Sequence, residues 1–408
     1  MAPRKGGKAF VRFVSANAVP LSLEKAPALF GEAVGSAKYV ALSEAVHNGK
    51  ESLETNVRLI EYLIQQKGFT IVALESALPE SRLVNDYILG RNDASKDALL
   101  KSLDGRYRWQ EFFQLVEWMR EYNTTHDKKV QLLGLDITGF YQSLSYALDR
   151  LRSYMVQSDK SFADYVDDRF GEVLRDPGAV QEDVFAYYRN DLSLESIIGL
   201  RQLAVMAVER IEAKEEMYVS ALGVTEYQWC RRTAINLLQT LRFYDEFRDY
   251  GKDYGLSYGA NGRELAMKDN FEWILEMNSD AKVVMIDHIY HTRTRVRHFG
   301  EYEYIISFGT LLRGMYGDDF YSTGCVYKSV YESKHVIEEG DLAYVLDKTG
   351  KSDFFIDLRK GREMARLKPY LSSEVLIWEY DDPLQFALDE FDGYIFYDTI
   401  TAPAALED

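Results

Sequence analysis

The sequence predicts an α/β protein with a mainly parallel central sheet flanked by helices and an inserted all-helical lobe over the carboxyl ends of the strands. Two observations predict this fold class. Short apolar runs alternate with amphipathic segments at both ends of the chain, whereas the segment between them has helical periodicity without a convincing strand. We therefore assign residues 1–142 and 278–408 to an α/β core and residues 143–277 to a helical insertion lobe.

The first third of the chain has the order strand, helix, strand. The run YVALS at Tyr39–Ser43 precedes Glu51–Gln66, where apolar residues recur at helical spacing, and a second apolar run, FTIVALE, follows at Phe69–Glu75. A helix at Trp109–Asn123 then precedes the run VQLLGLD at Val130–Asp136. Near-continuous apolar runs of this length indicate strands that are buried on both faces, as in parallel sheets.

Strands resume after the predicted helical lobe. The predicted strands there are KVVMID (282–287), EYIIS (303–307), CVY (325–327), DFFIDL (353–358), EVLIWEY (374–380) and GYIFYD (393–398). The lobe itself contains stretches such as residues 226–247, in which apolar side chains fall on one helical face.

Composition narrows the classes of partner. The chain has 408 residues, 47% hydrophobic and 28% charged, which is typical of a folded globular protein. A net charge of -17 disfavours nucleic acid and anionic membranes as partners. No apolar run is long enough to span a bilayer and no apolar segment follows the basic N-terminus, so we expect a cytoplasmic protein. We further expect a monomer or homodimer that acts on a small-molecule substrate. Two cysteines are too few for a disulfide framework.

Acidic residues end six of the predicted strands. They are Glu44, Glu75, Asp136, Asp287, Asp357 and Asp398. Because the carboxyl ends of parallel strands share one edge of the sheet, where ligands usually bind, these acids could crowd a single site. Each acid could instead cap the helix that follows, an interpretation that fits Asp136 well. As a set they predict a cluster of carboxylates with raised proton affinity, which a general base near neutral pH requires.

Histidines follow two of these strand ends, at His47 and His288. His291 comes three residues after His288 and could share its face on a helical turn, which leaves weak divalent metal association open. The chain has no HExxH motif and no GxSxG motif. The pattern therefore favours a carboxylate and imidazole site that activates water directly and requires no cofactor.

Several segments resemble the erythromycin esterase family, in the same order as in that family. ALSEAVHNGKES and VALESALPESRLVNDYILG are similar to its two most specific motifs. LLGLDITGFYQSL, RELAMKDNFEWIL and MIDHIYHTR resemble further motifs. The resemblance implies an α/β core interrupted by a helical lobe, with an active cleft between them. It also implies that the protein hydrolyses an ester or lactone, either without a metal ion or with a weakly associated one.

The resemblance also implies roles for individual residues. His47 would be the general base, Glu75 would orient the water or hold the shared proton, and His288 would stabilise the oxyanion or protonate the leaving alcohol. Glu44, with Arg58, would hold His47 in the correct tautomer. Further candidates for substrate binding or for supporting the site are Arg58, Glu51, His291, Asp136, Arg263 and Tyr141.

Departures from the family pattern leave alternatives open. Ser43, Val46 and Asn48 stand where the family usually has Gly, Thr and Gly, and Ile289 stands where it has Asn. We therefore expect a substrate other than erythromycin and a drier rim, in which cyclisation, elimination or acyl transfer would compete with hydrolysis. A second alternative is a binding protein for a small aromatic or metal-bearing ligand, with residues 243–259 as a loop over the cleft entrance.

Overall fold

A computed structural model describes residues 7–103, 105–137, 144–175, 193–249, 251–298 and 304–405. The strands are β1 (Val19–Pro20), β2 (Tyr39–Glu44), β3 (Ile71–Ala77), β4 (Gln131–Asp136), β5 (Val283–His288), β6 (Arg297–His298), β7 (Tyr304–Ile305), β8 (Phe320–Val330), β9 (Phe354–Asp357), β10 (Glu374–Glu379), β11 (Asp382–Ala387) and β12 (Gly393–Ile400).

The α-helices in the described ranges are α1 (Gly7–Asn17), α2 (Ala26–Val34), α3 (Lys50–Lys67), α4 (Leu78–Ile88), α5 (Lys96–Lys101), α6 (Gln110–Thr125), α7 (Leu144–Ser158), α8 (Lys160–Arg175), α9 (Leu194–Ala213), α10 (Glu215–Leu222), α11 (Val224–Asp249), α12 (Gly251–Met277), α13 (Ile289–Thr292), α14 (Phe308–Tyr316), α15 (Leu342–Asp347), α16 (Arg359–Arg362) and α17 (Lys368–Leu371). Short 3-10 turns lie at Gly105–Tyr107, Gly317–Asp319 and Leu388–Glu390.

The central sheet has eight strands in the order β1-β9-β12-β8-β2-β5-β3-β4. The six strands from β12 to β4 pair in parallel, whereas β9 pairs antiparallel with both of its neighbours. The predicted fold class, a mainly parallel sheet flanked by helices, is confirmed. Two predicted strands lie elsewhere, because EYIIS contributes only the short β7 and EVLIWEY forms β10 in a hairpin with β11.

Hydrophobic cores cover both faces of this sheet. Along β2, Val40 and Leu42 belong to one core, whereas Tyr39 and Ala41 belong to the other. Strands β3 and β5 alternate in the same way, which is why these apolar runs read as continuous in the sequence. Helices α1, α2, α3 and α6 pack in the first core, and helices α7, α9, α11 and α12 pack in the second.

Helix α3 shows how local sequence fixes an element that carries the site. Leu59, Ile60 and Leu63 are buried on one side of the helix. Gly68 ends it in a left-handed conformation with φ 74, and its N–H donates to the Leu63 carbonyl oxygen. The helix therefore ends directly before β3, where the predicted second strand lies.

The helices of residues 144–277 pack against one face of the sheet through the second core. The division into core and inserted lobe stays a prediction. The prediction of a loop at 243–259 is wrong, because helix α11 continues to Asp249 and helix α12 begins at Gly251. Within the described ranges, no helix combines the length and the apolar character that crossing a membrane requires.

Candidate active site

Polar residues end the neighbouring central strands at one edge of the sheet. Glu44 at the end of β2 is in register with His288 at the end of β5. Strand β3, which carries Glu75, pairs with the other side of β5, and β4 ends at Asp136 beside it. All four residues are buried, so the sheet brings together side chains that lie far apart in the sequence.

An irregular pairing between β3 and β4 shapes the position of Glu75. The register shifts between Leu74 and Ala77, as at a β-bulge. A side chain at Gly134 of β4 would overlap the backbone carbonyl oxygens of Ser76 and Ala77. Glycine is therefore required where the displaced backbone of β3 approaches its neighbour.

The turn after β2 carries His47 and is held from outside the central sheet. Asn48 has φ 65, a left-handed conformation that asparagine tolerates better than most residues. Trp109 Nε1 donates to Asn48 Oδ1 at 2.7 Å. Tyr331 donates its hydroxyl to the Asn48 carbonyl oxygen at 2.9 Å, and Tyr380 donates to the His47 carbonyl oxygen at 3.0 Å. The backbone of His47 is thus fixed by three remote aromatic residues.

Three cationic groups surround the Glu75 carboxylate. Arg106 Nη1 lies 2.7 Å, Arg263 Nη2 2.8 Å and His291 Nε2 3.2 Å from Glu75 Oε1. The backbone N–H of His288 donates to Glu75 Oε2 at 2.9 Å. Burial alone would raise the pKa of Glu75, but Arg106, His291 and Arg263 hold that pKa well below its ordinary value. Glu75 is therefore an ionised anchor and a poor acceptor for a mobile proton.

The ion network extends from Glu75 to Asp136 and Glu264. Arg263 donates from Nε to Asp136 Oδ1 at 3.0 Å and also pairs with Asp136 through Nη2. His291 places Nδ1 2.5 Å from Glu264 Oε1. Burial lowers the pKa of His291, but Glu264 and Glu75 raise it well above its ordinary value. His291 is thus an imidazolium whose two nitrogens both face carboxylates, and its contact with Arg263 places two donors side by side toward Glu75.

His47 lies between Arg106 and Glu44. Arg106 Nη1 donates to His47 Nε2 at 3.1 Å, because a guanidinium cannot accept. The ring proton of the neutral imidazole is then on Nδ1, 3.5 Å from Glu44 Oε2. Burial, Arg106 and His288 lower the pKa of His47 well below its ordinary value. Burial also raises the pKa of Glu44 to about 8, so Glu44 holds its proton through neutral pH.

His288 differs from His47 because its Nε2 atom has no hydrogen-bond partner among the described residues. The backbone of Ala45 interacts with the ring and favours its protonated form. Burial lowers the pKa of His288 to about 4, so the imidazole is neutral at pH 7 and its Nε2 carries a lone pair. Glu379 Oε2 lies 3.6 Å from this atom. The centroids of the His47 and His288 rings are 4.9 Å apart.

A cavity of about 270 Å³ opens onto these groups. Its walls are formed by His47, Glu75, Arg106, Phe243, Ala260, Arg263, Glu264, His288, Tyr290, His291, Ile305 and Glu379. Most of these side chains are charged or polar. The prediction that Val46 and Ile289 form the rim is wrong, because both residues are buried in the hydrophobic core and neither lines the cavity. A drier cleft stays a prediction.

Most of the residues predicted for the site lie together. Glu44, His47, Glu75, Asp136, Arg263, His288 and His291 form one connected cluster. Asp287 is next to it, and burial and the nearby Glu75 raise the pKa of Asp287 well above its ordinary value. Tyr141 is outside the described residues.

Four predicted residues do not join this cluster. Arg58 is exposed on α3 and donates to the Leu21 carbonyl oxygen at 3.1 Å, so the prediction that it helps Glu44 to hold His47 is wrong. Glu51 accepts hydrogen bonds from Thr401 beyond β12. Asp357 pairs with Arg359, and Asp398 pairs with Lys328. The expectation of six acids on one rim is therefore wrong for Asp357 and Asp398.

Sequence reasoning missed three charged residues of the cavity: Arg106, Glu264 and Glu379. Arg106 lies in a single 3-10 turn, which has no periodic signal. Glu264 is next to the predicted Arg263 on α12, so the segment RELAMKDNFEWIL contained it. Glu379 ends β10, outside the central sheet. In the sequence, Glu379 follows an apolar run, which is the same pattern that predicted the acids at the ends of the central strands.

Among the residues that the structure describes, two groups of side chains could offer atoms to a metal ion. They are Glu75, Asp287 and His291, and His47, His288 and Glu379, each with its donor atoms within 4.8 Å of one another. Arg106 contacts Glu75 in the first group and His47 in the second. The adjacent positive charge disfavours a resident cation in both. Weak divalent association stays a prediction, as does independence of metal.

Comparison with known proteins gives consistent matches. The family model for erythromycin esterase matches residues 64–400. An erythromycin esterase type II of Escherichia coli is 24% identical over 298 residues, which cover 71% of this chain and 69% of that protein.

Solved structures share the fold. A Bacillus cereus protein superposes with a TM-score of 0.78 at 19% identity over 98% of this chain and 99% of its own. A mutant of the erythromycin esterase EreC in its open conformation superposes with a TM-score of 0.72 at 15% identity over 95% of this chain and 97% of its own. With the family match over most of its length, this chain belongs to the erythromycin esterase family, and that membership supports an esterase-like hydrolase.

Proposed function

We propose that the protein is a metal-independent hydrolase that uses its His/Glu site to activate water and cleave an ester or lactone in a small natural product other than erythromycin. The observation that carries this proposal is the neutral His288, whose Nε2 atom has no hydrogen-bond partner among the described residues and lies at the cavity wall. Such an atom is the proton acceptor that direct activation of water requires.

His288 has the unprotonated and unpaired ring nitrogen that a general base needs, although burial lowers its proton affinity. The nearby backbone of Ala45 favours a proton on the other ring nitrogen, Nδ1. His47, which the sequence favoured for this role, would first have to lose the hydrogen bond from Arg106 to its Nε2 atom. We therefore assign the base to His288 and give His47, with Glu44 at its Nδ1 side, the task of orienting Arg106.

The proposed reaction balances with water as the second reactant. The water oxygen bonds to the ester carbonyl carbon, its proton moves to His288 Nε2, and the carbonyl π electrons move to the oxygen. The tetrahedral intermediate then expels the alkoxide, which takes the proton from His288. Arg106, on the cavity wall between Glu75 and His47, supplies positive charge for the oxyanion. Glu75 holds that charge in place.

The cavity walls favour hydrolysis over the alternatives. The charged side chains in the wall can hold the water molecule that hydrolysis consumes, whereas cyclisation or elimination would not need it. Within the buried ion pairs the formal charges balance, because Arg106, Arg263 and His291 face Glu75, Asp136 and Glu264, and an ionised Glu379 adds one negative charge to the cavity wall. A neutral ester or lactone therefore fits this site better than a strongly charged substrate.

The test is incubation with a panel of neutral esters and lactones in the presence of EDTA, followed by mass spectrometry. Hydrolysis predicts products whose summed mass exceeds that of the substrate by one water. A product of unchanged mass, or one that has lost water, would replace the proposal with cyclisation or elimination. A stable complex that contains only unchanged ligand would replace it with a binding function.

A further inference from the structure

Glu379 enters the cavity from a part of the fold outside the central sheet. It is the last residue of β10, which pairs with β11 in a two-stranded hairpin. Tyr380, the next residue, has φ 51 and begins the turn of this hairpin. Among the described residues of this hairpin, Glu379, which lies next to the turn, lines the cavity.

Hydrogen bonds fix the tip of this hairpin against the turn that carries His47. Tyr380 donates to the His47 carbonyl oxygen at 3.0 Å, and its hydroxyl lies 3.2 Å from that of Tyr331. Ser333 Oγ donates to the Tyr380 carbonyl oxygen at 3.0 Å. The position of Glu379 relative to His47 and His288 is thus set by the fold.

The facing atoms of Glu379 and His288 are both acceptors when the carboxylate is ionised. Glu379 Oε2 lies 3.6 Å from His288 Nε2, an atom with no hydrogen-bond partner among the described residues. A water oxygen beside both atoms could donate one hydrogen to each of them. These two acceptor atoms could therefore bind a molecule that carries two O–H groups.

Resting on the proposed hydrolysis, we propose that Glu379 is a catalytic residue that holds the attacking water together with His288. Its carboxylate accepts a hydrogen bond from one O–H group while the proton of the other moves to His288 Nε2. Glu379 gains no proton, so the balance of the reaction is unchanged. Its negative charge also favours the imidazolium that His288 becomes.

The pH dependence follows from the groups that face Glu379. Burial, Glu75 and Asp382 raise the pKa of Glu379, whereas Arg106 and His291 lower it, and the net direction is upward. A protonated Glu379 would donate to His288 Nε2 and exclude the water. We therefore expect kcat/KM to rise as the pH increases through the pKa of Glu379, and we expect Glu379→Gln to lack this rise.

Kinetics of Glu379→Gln and Glu379→Asp test the proposal, with Glu374→Gln at the exposed start of the same strand as the control. On an ester that the wild type cleaves, with EDTA present, Glu379→Gln should lower kcat by about 10²-fold and change KM by less than about threefold. Glu379→Asp should restore part of kcat, and Glu374→Gln should match the wild type. A kcat for Glu379→Gln within about threefold of wild type, or an effect on KM alone, would overturn the role.

A measurement without substrate separates this proposal from the proposed function. In spectra of isotope-labelled histidine nitrogens, with His288→Asn for assignment, Glu379→Gln should shift the Nε2 resonance of His288 at neutral pH, while Glu374→Gln should leave it unchanged. An unchanged resonance would overturn the pairing of Glu379 with His288. A wild-type protein that cleaves no ester overturns hydrolysis instead, and the resonance shift still decides the pairing.

Discussion

The central and outer strands of the sheet carry the same sequence pattern with different results. Glu44 and Glu75 end apolar runs in central strands, and their side chains are each 2% exposed within the cluster. Asp398 also ends an apolar run, yet its side chain is 45% exposed and pairs with Lys328. Strand β9 runs antiparallel, which places Asp357 at the opposite edge. An acid at a strand end thus marks a site only where strand direction and length bring it to the shared edge.

The largest expected effect concerns the imidazole at this edge. His288→Asn should lower kcat by about 10²- to 10⁴-fold, because it removes the proton acceptor for water. His126→Asn, an exposed histidine remote from the cavity, is the matched control and should retain wild-type kcat. Circular dichroism should show that both variants are folded. Equal activity of the two variants would remove His288 from the mechanism.

The free energy of unfolding should distinguish Glu75, at the end of a central strand, from Asp398, at the end of an outer strand. Glu75→Gln leaves Arg106 and Arg263 without their shared buried carboxylate, so we expect the free energy of unfolding to fall by about 3 kcal/mol. Asp398→Asn removes an exposed ion pair and should change it by less than about 0.5 kcal/mol. Urea denaturation measures both. Similar losses for the two variants would contradict the distinction between the central and outer strands.

The bulge that displaces Glu75 gives a backbone test. Gly134→Ala should lower the free energy of unfolding by about 2 kcal/mol, because its Cβ would overlap the carbonyl oxygens of Ser76 and Ala77. Gly314→Ala on α14 meets open space and should stabilise the protein by about 0.5–1 kcal/mol. Thermal or urea unfolding of the pair provides the measurement, and a harmless Gly134→Ala would argue against this close approach of β3 and β4.

Glu44 should make stability depend on pH. Its ordinary pKa is 4.5, and burial raises the folded-state pKa to about 8. Between these values the folded state holds a proton that the unfolded state has lost, so stability falls as pH rises, by up to about 1.4 kcal/mol per pH unit. Glu44→Gln should flatten this decline between pH 5 and pH 8. Identical pH slopes for variant and wild type would mean that Glu44 is ionised in the folded protein.

The smallest effect should come from Arg58. Because its guanidinium donates to the Leu21 carbonyl oxygen and does not contact Glu44, Arg58→Gln should change the free energy of unfolding by less than about 0.5 kcal/mol. Activity should stay within about twofold of wild type. Arg106→Gln is the informative partner in the same assay, since it removes the guanidinium that joins Glu75 to His47. A loss with Arg58→Gln as large as with Arg106→Gln would restore the original assignment.

The sequence was sufficient for the central strands and for most of the cluster. Strands β2, β3, β4 and β5 begin and end within about two residues of their predicted bounds, because burial on both faces leaves a continuous apolar signal. Parallel order then brings Glu44, Glu75 and His288 to one edge. The direction of β9 was not predictable in this way, since an antiparallel strand has no distinct local pattern when both of its faces are buried.

The charged cavity residues that the sequence did not predict come close to the site only through the tertiary structure. Arg106 reaches Glu75 from a short turn, and Glu379 reaches His288 from a hairpin beside the sheet. Neither contact follows from the spacing of residues along the chain. The tautomers of His47 and His288 likewise depend on which donor or acceptor lies next to each ring nitrogen, and only the folded chain brings Arg106 and the backbone of Ala45 to these rings.

Turnover in heavy-oxygen water tests the central claim, that His288 activates water in the cavity at the carboxyl edge of the sheet. With an ester that the wild type cleaves, mass spectrometry should find the heavy oxygen in the carboxylic acid product and not in the alcohol. His288→Asn should form this labelled acid far more slowly. Wild-type product without the label, or labelled acid formed by His288→Asn at the wild-type rate, would contradict the claim.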